Sequence, residues 1–239
     1  MNKILKTGIL ILLIAAFSGN FAQNMPQVSK PEVKIKFIEN EIPVEISNKI
    51  WEKVEPITIK TYWSAGIAPA GRQFNARLLW SKTALYVLFE ANQVEPLVIS
   101  ERPDLSKKTL GLWNRDVCEI FLAPDMNEPR KYFEFEVAPT GEWIDVALNV
   151  TSGERKSNWE YKSGMETAVG SRKEKILMLI KIPWTAFGKI PKAGDVWLGN
   201  IFRCIGKDPN RGYLAWLPTM TKNPDFHVPG KFGKFIFQK

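Results

Sequence analysis

Histidine is almost missing from this chain: His227 stands alone among 239 residues, and cysteine occurs only twice. A single histidine excludes a multi-histidine metal centre. Two cysteines exclude a disulfide-dense scaffold. No repeat of fixed period runs along the chain, and biased composition is limited to the proline and polar stretch at 23–32. Charge of one sign does not dominate either. The formal net charge is +8, but Lys and Arg are scattered, with pairs such as Arg172-Lys173 interrupted by Glu174. Nucleic-acid binding wants them clustered on one face, so no nucleic-acid partner is expected. With 45% hydrophobic and 24% charged residues, the composition is that of a folding globular chain.

What is plentiful is tryptophan, with nine residues. Large flat aromatics grip planar or sugar-like ligands when exposed and fill volume when buried. Before they are sorted, residues 1–22 are set aside as a signal peptide. Lys3 and Lys6 precede an apolar run over 9–17 that is too short to span a membrane, and Ala22 offers a cleavage point before Gln23. The expectation is an exported protein, periplasmic or extracellular, with no membrane attachment after cleavage. A flexible segment follows over 23–32, then one domain over 33–239.

From there short alternating or β-branched runs recur, at 32–37, 56–63, 74–80, 84–91, 117–122, 131–138, 143–150, 165–169, 174–182, 195–205, 213–217 and 234–237, separated by Gly, Pro, Asn and Asp. About a dozen strands at this spacing predict an all-β, antiparallel sandwich. Pro139-Thr140-Gly141 and Lys192-Ala193-Gly194-Asp195 supply turn residues and suggest hairpins. The helical exception is a single turn at 183–188, opened by Pro183 and closed by Gly188.

A strand sends successive side chains to opposite faces. Cys118, Ile120 and Leu122 therefore suit a core, leaving Glu119 on the other face with Val117 and Phe121. Likewise Phe133, Phe135 and Val137 oppose Tyr132, Glu134 and Glu136. Two strands thus present carboxylates between aromatics, and Arg203 joins that face if the register permits. The ligand-facing candidates are the polar loop Leu112-Trp113-Asn114-Arg115-Asp116 and the segment Tyr213-Leu214-Ala215-Trp216-Leu217-Pro218, since pyranose faces stack on indole while amide, carboxylate and guanidinium groups meet hydroxyls.

Five blocks in order carry a family likeness: Trp113-Asn114-Arg115-Asp116-Val117-Cys118-Glu119-Ile120-Phe121-Leu122; Tyr132-Phe133-Glu134-Phe135-Glu136-Val137-Ala138-Pro139-Thr140-Gly141; Ile180-Lys181-Ile182-Pro183-Trp184; Gly194-Asp195-Val196-Trp197-Leu198-Gly199-Asn200-Ile201-Phe202-Arg203; and Phe226-His227-Val228-Pro229-Gly230-Lys231-Phe232-Gly233. With the strands around them, over 50–237, the chain resembles the family 9 carbohydrate-binding modules. The resemblance implies a β-sandwich related to DOMON domains that binds a short saccharide or polysaccharide chain end through a pair of tryptophans, without catalysis. Carried over by position, Trp113 and Trp216 are that pair, with Asn114, Arg115, Glu119 and Arg203 as polar partners. Glu119 and Arg203 serve either in this way or as a structural ion pair.

The resemblance also implies structural calcium, for which the sequence shows no compact acidic loop, so no metal residue is assigned. Family members commonly accompany catalytic domains, which makes glycan-degrading enzymes expected partners. Two alternatives stay open. Domains related to this fold bind b-type haem, for which His227 with Met165, Met178 or Met220 would serve. A glycosidase would instead use two of Asp116, Glu119, Glu134, Glu136 and Asp145 across a glycosidic bond. Cys118 and Cys204 are either bridged or two buried thiols.

Overall fold

The runs of period-two alternation become strands in the computed structural model, which describes residues 29–151 and 154–239. The expected signal peptide, and the flexible segment as far as residue 28, lie outside the described residues. Fourteen strands follow: β1 (Glu32–Phe37), β2 (Ile57–Ile59), β3 (Thr61–Tyr62), β4 (Phe74–Trp80), β5 (Ala84–Asn92), β6 (Val117–Ala123), β7 (Lys131–Val137), β8 (Trp143–Thr151), β9 (Glu154–Asn158), β10 (Glu166–Arg172), β11 (Lys175–Pro183), β12 (Val196–Ile205), β13 (Gly212–Ala215) and β14 (Gly233–Gln238). The only helical pieces among the described residues are short 3-10 turns, including the expected one at Trp184–Phe187, closed by Gly188 in the left-handed conformation.

The strands form one hydrogen-bonded path, β10-β11-β5-β4-β1-β14-β12-β6-β7-β8-β9, curled so that its two arms face each other. Neighbours on the path are antiparallel except at β1, which runs parallel to both β14 and β4 and joins the arms. The turn at Pro139-Thr140-Gly141 makes the predicted β7–β8 hairpin. The one at 192–195 precedes β12 without making a hairpin, because β11 pairs with β5 and β12 lies in the other arm.

Between the arms lies the main core: Phe74, Leu78, Val87 and Phe89 from one side meet Cys118, Ile120, Phe135 and Ile201 from the other. At one end Trp80, Trp184 and Trp197 close around Phe237, with Trp197 and Phe237 ring centroids 5.0 Å apart. Each such buried side chain contributes about 1.5–3 kcal/mol of burial, and these indoles are structural. Gly199 is required where β12 crosses close to β6, because a Cβ there would collide with the Phe121 carbonyl oxygen and lie 2.8 Å from the Phe235 ring.

Each arm also has an outer face. The outer face of β4, β5 and β11 is roofed by the segment 38–54, whose Ile38, Ile42, Trp51 and Val54 cover Leu79, Tyr86, Leu88 and Leu179. On the outer face of β12, β6, β7 and β8, Phe121, Tyr132 and Phe202 pack with Phe226 and Phe232 from the C-terminal segment. The expected strand parity holds on β6 and β7, but the face carrying the carboxylates is buried. Long-range loops cover it, which no local pattern announces.

Cysteine geometry follows from parity. Cys118 belongs to the main core and Cys204 to the outer cluster, so the two thiols lie on opposite faces and both are free. Burial pushes the Cys118 thiol up to about 12, and that of Cys204 well above its ordinary value.

Candidate functional site

A cleft of about 510 Å³ opens at one end of the second outer face, within the size range of small-ligand sites. Its first wall is the 3-10 turn Leu112–Asn114, entered through Gly111 at φ +79°, where a side chain would be strained. Leu112 is buried and anchors the turn, which leaves Trp113 39% exposed at the rim. Arg211 clamps the turn from beneath, donating from Nη2 to the carbonyl oxygens of Trp113 and Arg115, each at 2.7 Å. Asp116 fixes the chain beyond it by accepting from Gly206 N at 2.7 Å and Val98 N at 3.2 Å.

The facing wall comes from β9 and its exit. Trp159, 40% exposed, sets its ring 5.9 Å from that of Trp113, centroid to centroid, at 32° between planes. Arg155 and Ser157 line the cleft from β9, Tyr213 from β13, and Pro224, Asp225, Phe226 and His227 from the loop before β14. Phe226 stacks on Phe202 at 4.1 Å, which holds that loop down. Behind it the His227 Nδ1 lies 2.9 Å from the Tyr132 hydroxyl, and Asp225 Oδ1 accepts from His227 N at 2.9 Å. Desolvation, with Arg155 nearby, pushes the imidazole pKa down to about 4, so His227 is neutral near pH 7.

The floor is acidic. Glu119 and Glu134 line the cleft, and Glu136 lies behind them, paired in register with Glu119 across β6 and β7. Burial raises the carboxyl pKa of all three, and the mutual approach of the carboxylates adds to it for Glu119 and Glu136. The Cys204 thiol donates to Glu119 Oε1 at 3.5 Å.

Of the six residues expected at the site, the structure brings Trp113, Asn114 and Glu119 together here. Arg115 turns away to pair with Glu142 at 3.2 Å, beside the β7–β8 turn. Arg203 does not join the carboxylate face. The register sets it opposite Cys118, so it points to the inner side, where Nη1 donates to the carbonyls of Arg72 and Asn92, each at 2.8 Å, and Nη2 to Gln93. The expected Glu119–Arg203 ion pair therefore does not form. Trp216 is half-buried against Phe235, 5.5 Å between centroids, in a groove beside β1 and away from Trp113.

Sequence reasoning missed Trp159, Arg155 and Asp225 as cleft residues, and from the candidate segment 213–218 it singles out Trp216 where the structure brings Tyr213 to the cleft. The available signal was Ser152-Gly153, a turn dipeptide directly after a good strand, which implies a returning strand and places Trp159 at its end. The haem alternative does not fit. Both His227 nitrogens face protein groups, with Nε2 3.9 Å from Glu134, while Met165 and Met178 are in the core and Met220 lies outside the cleft.

The sequence profile of the carbohydrate family 9 binding domain-like family matches residues 44–239. Among solved structures, a Bacteroides uniformis protein assigned to carbohydrate binding superposes with a TM-score of 0.70 at 17% identity, covering 88% of this chain and 100% of its own. A family 9 carbohydrate-binding module from Caldicellulosiruptor kristjanssonii in complex with cellotriose gives 0.62 at 15% identity, covering 87% of this chain and 94% of that one. The glucose complex of a module from the same organism gives 0.61 at 16%, covering 87% and 96%. At these identities the likeness is one of fold. No curated protein matches the sequence significantly.

Proposed function

The chain belongs to the carbohydrate family 9 binding domain-like family, a non-catalytic carbohydrate-binding family, and from that premise we propose that it holds a short saccharide or chain end between Trp113 and Trp159. The observation that carries this reading is the pair of half-exposed indoles facing each other over a cavity with polar walls. Apolar sugar faces stack on indole, while Asn114, Arg155 and Asp225 offer donors and acceptors to hydroxyls.

The spacing adds a requirement. A pyranose inserted between two rings needs a contact of about 3.5–4.0 Å on each side, or about 7–8 Å overall. The rings stand 5.9 Å apart and splayed by 32°, so one indole rotates outward on binding. Trp159 is free to do so, because it follows the exposed edge strand β9. The glycosidase alternative loses its ground here: the three glutamates share one floor rather than flanking a bond, and the family is not catalytic.

Tryptophan fluorescence titrated with glucose, cellotriose and a panel of other oligosaccharides tests the reading, with calorimetry on any ligand that shifts it. Binding lost in Trp113→Ala supports it. If no saccharide on a glycan array is retained, or if Trp113→Ala binds as well as the parent, the cleft is not a sugar site.

We also infer that the protein acts outside the cytoplasm, beside glycan-degrading enzymes. Support comes from the signal-peptide pattern at 1–22 and from the absence of a catalytic role in its family. Recovery from the exported fraction with Gln23 as first residue tests the first part; co-purification with a glycosidase tests the second.

A further inference from the structure

We propose that the ion pair Lys108–Asp145 is a brace that sets the spacing of the two tryptophan walls. Neither residue lines the cleft, so both are positioning residues for the ligand. In its effect on affinity this role rests on the saccharide reading above; in its effect on the indoles it does not.

The Lys108 ammonium sits where both walls can be reached. Lys108 lies in the segment that leads to the 3-10 turn Leu112–Asn114 and so to Trp113. Its Nζ lies 2.5 Å from Asp145 Oδ1, and it donates to the carbonyl oxygens of Asp145 at 2.8 Å and Tyr161 at 2.5 Å. Tyr161 closely follows Trp159 along the chain. Asp145 is fully buried, and its Oδ2 accepts from Ser163 N at 2.6 Å. One ammonium and one carboxylate thus hold the segment that carries Trp113 and the segment that carries Trp159.

Topology explains why the walls need a tie. The β8–β9 ladder ends where Ala147 pairs with Asn158, so the chain beyond carries Trp159 without a strand partner. The opposite wall is fastened to the start of β8, through Thr109 N donating to the Trp143 carbonyl at 2.9 Å and through Arg115 with Glu142. Among the described residues, no hydrogen bond or ion pair other than those of Lys108 joins 105–116 to 154–165.

The chemistry suits a tether. Three oxygens surround one ammonium, whose three protons match them in number. A buried ion pair is a weak source of net stability, so what this one supplies is geometry. It holds the backbone at Tyr161 and leaves the Trp159 indole its own rotation. Walls ordered before binding need not be ordered by the ligand, which raises affinity.

The test reads the indoles directly. Two indoles with centroids 5.9 Å apart couple their ultraviolet transitions, and the circular-dichroism couplet that results depends on their separation and angle. Trp113 is the only ring paired with Trp159 among the described residues, so the spectrum of the full-length chain minus that of its Trp159→Phe variant isolates this couplet. A double variant combining Lys108→Met with Asp145→Asn leaves no charge buried without its partner, and the amide oxygen still accepts from Ser163 N. In that background the same subtraction should lose most of its amplitude. Affinity for the saccharide that binds the parent tightest, among glucose, cellotriose and other oligosaccharides, should fall about tenfold. Trp51→Ala, on the other outer face, controls for lost stability and should keep both the couplet and the affinity.

A couplet retained in the double variant overturns the brace. Should that variant not fold, Asp145→Asn alone decides. With its oxygen held by Ser163 N, the new amide nitrogen faces the ammonium, donor against donor, and the couplet should shrink; an unchanged couplet there overturns the brace equally. If the parent binds no saccharide while the variant loses the couplet, the saccharide reading fails and the brace stands. If the parent binds saccharide and the double variant binds it as tightly, the brace alone fails.

Discussion

The two outer faces of the sandwich begin from the same strand geometry and end differently. Over β4, β5 and β11 the roof is apolar on apolar: Trp51 and Ile38 press on Tyr86 and Leu88, and Asn48 caps the 3-10 turn Lys49–Lys53 by accepting from Ile50 N at 3.0 Å. Over β12, β6, β7 and β8 half of the face is aromatic, through Phe121, Phe202, Phe226 and Phe232, and the other half holds three glutamates beside an open cavity. Buried strand positions that carry charge sacrifice stability. The molecule concentrates that sacrifice on one face and leaves the other to packing.

That contrast can be broken or sharpened by experiment. The largest expected effect is on the sealed face. Trp51→Ala should cost about 3–5 kcal/mol and lower the melting temperature by about 10 °C, while the folded protein keeps its saccharide affinity. A loss of affinity there would mean that the two faces are coupled. On the open face, Trp113→Ala should weaken saccharide binding by about 2 kcal/mol, roughly 30-fold, with stability changed by no more than about 0.5 kcal/mol. Trp159→Ala should act in the same direction in the same titration.

Trp216→Ala separates the groove beside β1 from the cleft. It should cost about 1–2 kcal/mol of stability through lost contact with Phe235 and leave affinity untouched in calorimetry; weaker binding would show the cleft to be incomplete as drawn. The smallest effect is a near-absence of reaction. With both thiols buried and held protonated at pH 8, a chromogenic disulfide reagent should label the folded protein only slowly, and two equivalents should react on unfolding. Cys204, which lines the cleft, should react before Cys118. The reverse order would make the open face the more rigid one.

Much of this was legible in the sequence, in a specific sense. β1 and β4 begin and end where alternation predicts, and the parity of Glu119, Glu134 and Glu136 follows from period two alone. β9 was not foreseen, because Glu154-Arg155-Lys156-Ser157-Asn158 has no apolar residue to signal burial. It is an exposed edge strand held by its ladder to β8. Trp159 comes directly after it, so the second indole stayed unassigned while Trp216, in a better-patterned segment, was expected in its place. Parity says which side of its own strand Arg203 takes. Only the pairing of Arg203 with Cys118 says that this side is opposite to that of Glu119.

The pairing of β14 carries a practical corollary. β14 runs antiparallel to β12, with Val196 beside Ile236, while Cys204 at the cleft lies eight residues further along β12. Along a strand that separation, extended to Gln238, is about 30 Å. A biotin or fusion partner attached at Lys239 therefore sits at the far end of the sandwich from the cleft, and immobilising the protein through it leaves the tryptophans facing outward.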